Sequence, residues 1–136
     1  MQETASDRTP RTLRGARLRK HADYQRVYQQ SRKNFSASMT YFFCPRGDQP
    51  IEIAGPRIGL TAGRVLGKAV ERNRIKRRMR EVVRKSLGHL HSDVDVVLHP
   101  RKSILQMELP RLESEVARIF ASVEAALRKT KPETSQ

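Results

Sequence analysis

Residues 67–85 read GKAVERNRIKRRMREVVRK, and the interpretation of the whole chain starts from this stretch. Its apolar side chains recur at i, i+4, i+7, i+8 and i+12, the spacing of a helix that buries one stripe. That stripe consists of Ile75, Met79, Val82, Val83 and Leu87. The pattern predicts a helix over 68–87, ended by Gly88, with one side in a hydrophobic core.

The other side of this helix is strongly basic. Eight Lys or Arg residues lie between Arg72 and Lys85, against the single acid Glu81. One exposed flank carries polar residues at i, i+3 and i+4 intervals, namely Asn73, Lys76, Arg77, Arg80 and Arg84. Neighbouring like charges destabilise a helix by about 0.2–0.5 kcal/mol per pair. Phosphates would neutralise that repulsion, so the pattern favours a polyanionic partner over a merely solvated face.

The excess positive charge of the chain is confined to its first two thirds. The net charge is +14; residues 1–90 hold 21 Lys and Arg against 7 Asp and Glu, whereas residues 91–136 hold 7 against 7. A charge bias this large and this local predicts nucleic acid as the partner.

The segments on either side of the basic helix add two helices and three strands. A short helix is predicted over 21–30 and a longer one over 110–129. Strands are predicted at 36–44, 57–63 and 94–98. The first two strands are expected to pair as a hairpin through the loop that joins them.

The order of these elements predicts the fold class. Gly63 and Gly67 bracket a turn before the basic helix, and a further strand near Ile51 and Ile53 is left open. The order α-β-β-(β)-α-β-α predicts an α+β two-layer sandwich, in which a small mixed sheet packs against helices.

The sequence divides into one domain and two terminal segments. Residues 1–16 lack hydrophobic periodicity and are predicted to form a flexible basic arm. Residues 17–129 are predicted to form a single RNA-binding domain, and residues 130–136 a flexible tail. A chain of 136 residues is long enough for one hydrophobic core.

Aromatic residues are concentrated before the basic helix, since six of the seven lie within residues 24–43. Tyr24 and Tyr28 are one helical turn apart, and Phe42 points to the opposite face of its strand from Tyr41 and Phe43. Aromatic rings beside basic side chains hold single-stranded nucleic acid by stacking, at about 1–3 kcal/mol per base. We expect Tyr41 and Phe43 in the core. For Tyr24, Tyr28 and Phe42, composition leaves core packing and base stacking equally open.

Several function classes lack the residues that they need. The lone cysteine, Cys44, excludes a disulfide within the chain and a multi-cysteine metal site, and it is expected in the core. The four histidines have no metal-ligand spacing, and acids are too sparse in the basic region for a two-metal nuclease site. There is neither an apolar stretch of about 20 residues nor an apolar signal core, so the chain is expected in the cytoplasm and not at a membrane.

Three segments of the chain resemble the bacterial ribonuclease P protein family. RIGL at 57–60 is followed by GKAVERNRIKRRMREVVR at 67–84, which contains the Arg-Asn-Arg motif of that family at Arg72, Asn73 and Arg74. ADYQRVY at 22–28 resembles its first helix, although the family usually has phenylalanine at the tyrosine positions. The resemblance covers about residues 17–128. The Ser-Lys-Lys usual in the family is replaced by Gly63, Arg64 and Val65.

This resemblance implies a ribonuclease P protein-like (ribosomal protein S5 domain 2-like) fold and a role as the protein subunit of a ribonucleoprotein endonuclease. In such an enzyme the RNA subunit catalyses the Mg²⁺-dependent hydrolysis that removes the 5′ leader of precursor tRNA. Mg²⁺ is then bound mainly by the RNA, and the protein supplies no catalytic or metal-binding residue. The implied partners are the catalytic RNA and the precursor tRNA leader, with no obligate protein partner and no membrane.

The resemblance also implies two sets of site residues. The RNA-binding set is Arg64, Lys68, Arg72, Asn73, Arg74, Lys76, Arg77, Arg80 and Arg84. The leader-binding set is Arg17, Tyr24, Tyr28 and Phe42. Within the first set, Asn73 can satisfy nearby backbone or side-chain groups, or hydrogen-bond RNA directly.

Three other functions share the charge and the size. A structural RNA-binding protein of ribosomal type does not predict the Arg-Asn-Arg motif in register with an upstream aromatic helix. A DNA-binding regulator would need a helix-turn-helix partner for the basic helix, whereas its neighbours are predicted to be strands. A membrane-surface or calmodulin-binding helix would need the apolar stripe that the core uses.

Overall fold

The computed structural model describes residues 16–46 and 54–129. Along these ranges the helices are α1 His21–Gln30, α2 Ala69–Ser86 and α3 Leu109–Lys129, and the strands are β1 Asn34–Phe35, β2 Met39–Pro45, β3 Arg57–Leu60 and β4 Val94–Pro100. Short 3-10 turns occur at Arg64–Leu66, Leu87–His89 and Lys102–Gln106. The predicted tail, the segment around Ile51 and Ile53, and the predicted arm apart from Ala16 lie outside the described residues.

The four strands form one mixed sheet in the order β1-β2-β4-β3. β2 is antiparallel to β1 and to β4, whereas β3 is parallel to β4. The predicted pairing of β2 with β3 is therefore wrong, because β4 lies between them. The hairpin of this sheet joins β1 to β2 instead, and its turn is made by 36–38, the residues that were predicted to begin the strand.

The position of β4 follows from its composition. Val94–Leu98 is buried on both faces of the sheet, and a segment that is apolar at four of its five positions suits a central strand better than an edge strand. Val94, Val96 and Leu98 pack with the core of α2 and α3. Val97, between them, packs with Leu18, Val27 and Cys44 on the other face, where α1 lies.

The sheet therefore carries helices on both faces, with α2 and α3 forming the larger layer and α1 a smaller one. The α+β class and the small mixed sheet packed against helices are confirmed. The bounds of the three helices differ from the predicted ones by one residue at most. The predicted stripe of α2 is fully buried.

The turn that leads into α2 needs the first glycine of the motif. The chain leaves β3 after Leu60 and passes through the predicted turn, Arg64–Leu66, to Gly67. Gly67 has a φ of +119°, and a Cβ there would lie 2.2 Å from Oε1 of Glu71. Only glycine adopts this conformation without strain, so Gly67 fixes how α2 begins.

No helix within the described ranges is long and apolar enough to cross a bilayer.

Candidate nucleic-acid interface

Residues from both predicted sets meet in one groove. Arg17 and Tyr24, predicted to bind the leader, line a cavity of about 340 Å³ together with Lys76 and Arg80 of α2. We call this the first groove, and its lining consists of Arg17, Leu18, Arg19, Tyr24, Ile58, Leu60, Lys76 and Arg80. An aromatic ring beside four basic side chains suits a strand of nucleic acid, because the ring can stack on a base while the cations contact phosphates.

The edge of β3 brings the two sides of the groove together. The backbone N–H of Leu18 donates to the Ile58 carbonyl at 2.9 Å, and the N–H of Ile58 donates to the Ala16 carbonyl at 2.6 Å. These bonds hold Arg17 beside β3. Gly59 allows Tyr24 to lie directly against the strand, since a Cβ at Gly59 would lie 2.7 Å from the tyrosine ring.

The three rings that were predicted to bind the leader lie together on the α1 face of the sheet. Tyr24 and Tyr28 are stacked, with centroids 6.5 Å apart and planes at 18°. Phe42 meets the ring of Tyr28 edge-on at 5.1 Å. All three are partly buried against the small α1 cluster. Tyr41 and Phe43 instead pack against the α2 and α3 core, as predicted.

His99 completes this group and was missed by the sequence reasoning. Its ring lies 5.6 Å from Tyr28 and 5.2 Å from Phe42, and its Nε2 is 2.9 Å from the Tyr28 hydroxyl. We call Tyr24, Tyr28, Phe42 and His99 the aromatic cleft. Alternation along β4 places His99 on the same face as Val97, but the sequence does not show that α1 and its tyrosines cover that face.

The cleft is electrically neutral, which suits stacking against bases. Burial raises the pKa of both tyrosines, so their hydroxyls stay protonated at neutral pH. Burial, with a smaller contribution from the positive charge of Lys33, lowers the pKa of His99. A neutral imidazole can accept a hydrogen bond from the Tyr28 hydroxyl. Lys33 is thus a further basic residue beside the cleft that the sequence reasoning did not select.

The other predicted RNA-binding residues are spread around α2. Asn73, Arg74 and Arg77 are exposed, and the side chain of Asn73 has no hydrogen-bond partner among the described residues, which leaves it available for RNA. Arg74 lines a different cavity, with Lys102. Apart from Lys76 and Arg80, the members of the predicted RNA-binding set lie outside the first groove. Arg64 and Lys68 precede α2, and Arg72 is partly buried in its first turn. Arg84 lies near the end of α2, and its Nη2 donates to Glu81 at 2.8 Å.

Three arginines outside α2 are occupied by a buried carboxylate. Asp95 of β4 is fully buried and pairs with Arg26 of α1, with Arg46 after β2 at 3.1 Å and with Arg57 of β3 at 2.8 Å. The hydrogen bond to Asp95 raises the pKa of Arg57. These positive charges stabilise the fold, and the net charge of the sequence overstates what is available to RNA.

Cys44 is a core residue, as predicted. Cys44 is buried in the α1 cluster, and burial raises the pKa of its thiol, which keeps it protonated and unreactive. Among the described residues there is no group of three His, Cys, Asp or Glu side chains that could hold a metal ion.

Comparison with known proteins identifies a family for this arrangement. The family model for ribonuclease P matches residues 13–124. The ribonuclease P protein component of Chloroflexus aggregans is 37% identical over 123 residues, covering 89% of this chain and 84% of that protein. The corresponding protein of Symbiobacterium thermophilum is 35% identical over 105 residues, covering 76% and 87%.

Solved structures of ribonuclease P proteins share the fold. The protein from Thermotoga maritima superposes with a TM-score of 0.66 at 23% identity, covering 78% of this chain and 96% of that one. The protein from Staphylococcus aureus gives a TM-score of 0.62 at 25% identity, covering 79% and 94%. The chain therefore belongs to the bacterial ribonuclease P protein family, whose members are the protein subunit of a tRNA-processing ribonucleoprotein.

Proposed function

We propose that this chain binds the catalytic RNA of ribonuclease P through α2 and holds the 5′ leader of precursor tRNA in the first groove and the aromatic cleft. The observation that carries this proposal is the meeting of Arg17 and Tyr24 with Lys76 and Arg80 in one groove. A leader strand that lies there contacts the protein on one side, while the exposed Lys and Arg side chains of α2 are available to the RNA subunit.

The chemistry is proposed to take place in the RNA, with Mg²⁺ bound mainly there. The described carboxylates of this chain do not fit a metal ion, because most already have partners. Asp23 and Asp95 pair with arginines, and Glu115 and Glu124 accept hydrogen bonds from serine hydroxyl and backbone N–H groups. The contribution of this chain is to bind the leader and to position it relative to the RNA.

Reconstitution tests this function directly. The full chain is mixed with a bacterial ribonuclease P RNA at a low Mg²⁺ concentration at which the RNA alone cleaves slowly, and 5′ leader release from precursor tRNA is followed. We expect the chain to accelerate cleavage. Binding to the RNA without any acceleration would instead support the alternative of a non-catalytic structural RNA-binding protein.

A pair of glycine variants tests the leader site. In Gly59→Ala the new methyl group would lie 2.7 Å from the Tyr24 ring, whereas at Gly63 a Cβ has no heavy atom within 4 Å. We expect Gly59→Ala, by displacing the ring, to weaken holoenzyme binding of precursor tRNA by up to about tenfold, the equivalent of one stacked base. Mature tRNA lacks the leader and should bind as before. Gly63→Ala is the matched control, and equal loss for precursor and mature tRNA would contradict the leader site.

A further inference from the structure

A second basic groove runs along the other flank of α2. It consists of two depressions that share Ser103 in their walls. One contains Arg74 of α2 and Lys102, and the other contains Arg111 and Arg118 of α3. We call Arg74, Lys102, Ser103, Arg111 and Arg118 the second groove. It shares no residue with the first groove.

The positive charge of the second groove exceeds the negative charge that lines it. Its four basic residues face two carboxylates, Glu71 and Glu115. Glu71 lies 3.6 Å from Lys102 and also accepts the N–H of Lys68. Glu115 is buried and is occupied by Ser36 and Ser38. The groove therefore keeps an excess of two positive charges.

The two arginines of α3 are exposed and weakly engaged. The side chain of Arg111 has no hydrogen bond or ion pair within the described parts of the chain, and the only such partner of the Arg118 side chain there is the Ser114 hydroxyl, at 2.9 Å. The zero net charge of residues 91–136 does not reflect the charge on the surface. The acids Asp95, Glu115 and Glu124 are buried, whereas Arg111 and Arg118 are exposed. The described part of this segment, residues 91–129, thus has a basic surface although residues 91–136 carry no net charge.

We propose that the second groove binds backbone phosphates of the RNA subunit. This inference rests on the proposed function, and it extends the contact surface beyond the Arg-Asn-Arg motif, whose Arg74 lines the groove, to Lys102, Arg111 and Arg118. None of the described side chains lining the groove is aromatic, so bases have no platform on which to stack and binding depends on charge. Phosphate contacts of this kind fix the orientation of a protein on its RNA without reading sequence. With α2 between the two grooves, the leader and the RNA subunit occupy opposite flanks of one helix.

The double variant Arg111→Gln/Arg118→Gln tests this surface. The probe is bacterial ribonuclease P RNA without tRNA, titrated with the full chain over a range of salt concentrations. If each arginine contacts one phosphate, the log–log salt slope should become shallower by about 1.4–1.8, since each contact contributes about 0.7–0.9. The ratio of precursor to mature tRNA affinity of the holoenzyme should stay unchanged.

The matched control is Arg128→Gln/Lys129→Gln, which removes the same charge from the exposed far end of α3. The control should keep the wild-type slope. An equal change in both variants would reveal a general effect of net charge and overturn the proposal, as would an unchanged slope in the first variant. Loss of precursor affinity alone would assign the groove to the substrate and also overturn it. Failure of the proposed function would appear separately, as wild-type protein that does not accelerate cleavage.

Discussion

At the scale of single residues, Tyr28 lies where it can serve both of the roles that the sequence leaves as alternatives, core packing and base stacking. Its ring is partly buried against Val27 and its cluster and is also part of the aromatic cleft. Its hydroxyl, which phenylalanine would lack, is 2.9 Å from Nε2 of His99. The tyrosine thus links α1 to β4 through both the ring and the hydroxyl.

Two substitutions at Tyr28 separate these roles. Tyr28→Phe keeps the ring and loses one hydrogen bond, so we expect it to reduce the free energy of unfolding by about 0.5–1.5 kcal/mol and to leave leader affinity nearly unchanged. Tyr28→Ala should weaken precursor tRNA binding roughly tenfold, the equivalent of one stacked base. Thermal melting of the free chain and titration of the holoenzyme with both tRNAs check this. Equal weakening for mature tRNA would show that Tyr28 serves the core alone.

At the scale of elements, α2 has flanks with different functions. Lys76 and Arg80 line the first groove, whereas Arg78 donates from Nη2 to the carbonyl of Met107, which follows the 3-10 turn before α3. The same residue type, two positions apart on one helix, therefore lines the groove proposed to hold RNA in one case and stabilises the fold in the other.

Arginine substitutions on the two flanks should give different results. Arg77→Ala is expected to weaken binding to the RNA subunit, and Arg80→Ala, in the first groove, to weaken holoenzyme binding of precursor tRNA. Each should reduce the salt slope of that binding by about 0.7–0.9 per lost phosphate contact, with little change in melting temperature. Arg78→Ala is expected to lower the melting temperature and to leave the slope nearly unchanged. Salt titrations and melting curves of the three variants distinguish the flanks. A reduced slope for Arg78→Ala alone would reverse the assignment.

Glu115 links α3 to the β1–β2 turn. Its carboxylate accepts hydrogen bonds from the hydroxyl groups of Ser36 and Ser38, at 2.5 Å and 2.6 Å, and from the Ser38 N–H at 2.8 Å. Burial acts to raise the pKa of Glu115, but these bonds and the charge of Arg118 outweigh it and lower the pKa. The ionised form is therefore the one that holds the turn on the helix.

The sign of the pH dependence follows from this lowered pKa. The stabilisation is fully present above the unfolded value, near 4.5, and is lost as the pH falls through the lower folded value. We expect Glu115→Gln to reduce the free energy of unfolding by about 1–3 kcal/mol at pH 7 and by less near pH 3. Glu113→Gln, on the same helix, is the control. Denaturant unfolding of wild type and variant at pH 7 and near pH 3 measures this loss of unfolding free energy. An equal loss at the two pH values would contradict the prediction.

At the scale of the whole molecule, Asp95 joins every part of the α1 side of the fold. It lies on the central strand and pairs with arginines from α1, from the end of β2 and from β3. Asp23 at the rim also pairs with Arg26 and Arg57, at 3.5 Å and 3.4 Å. The network holds α1, and with it Tyr24 and Tyr28, on the sheet.

Removal of the central carboxylate should therefore destabilise the fold. We expect Asp95→Ala to cost about 3–5 kcal/mol, because it leaves buried guanidinium charge without a partner. Asp23→Asn, at the more exposed rim, should cost about 1 kcal/mol or less. Chemical denaturation measures both. A loss at Asp95 no larger than that at Asp23 would show that the network does not hold α1 on the sheet.

The sequence by itself determined the positions of the helices, the buried stripe of α2, and the basic face that indicates an RNA partner. These are local properties, since a 3.6-residue period and a run of like charge are both visible in consecutive residues. The opposite orientations of Phe42 and of Tyr41 and Phe43 also followed from local alternation along one strand.

Only the tertiary structure decided which strand lies beside which, and hence what faces the cleft. The apolar residues of β4 favour a central position, but they do not specify that β2 and β3 are the strands beside it. His99 joined the aromatic cleft, with Lys33 beside it. Arg26 and Arg57 pair with Asp95. Arg111 and Arg118 form a basic surface because the acids Asp95, Glu115 and Glu124 are buried. Long-range burial brings distant side chains together, and the charge that remains for a partner is what that packing leaves exposed.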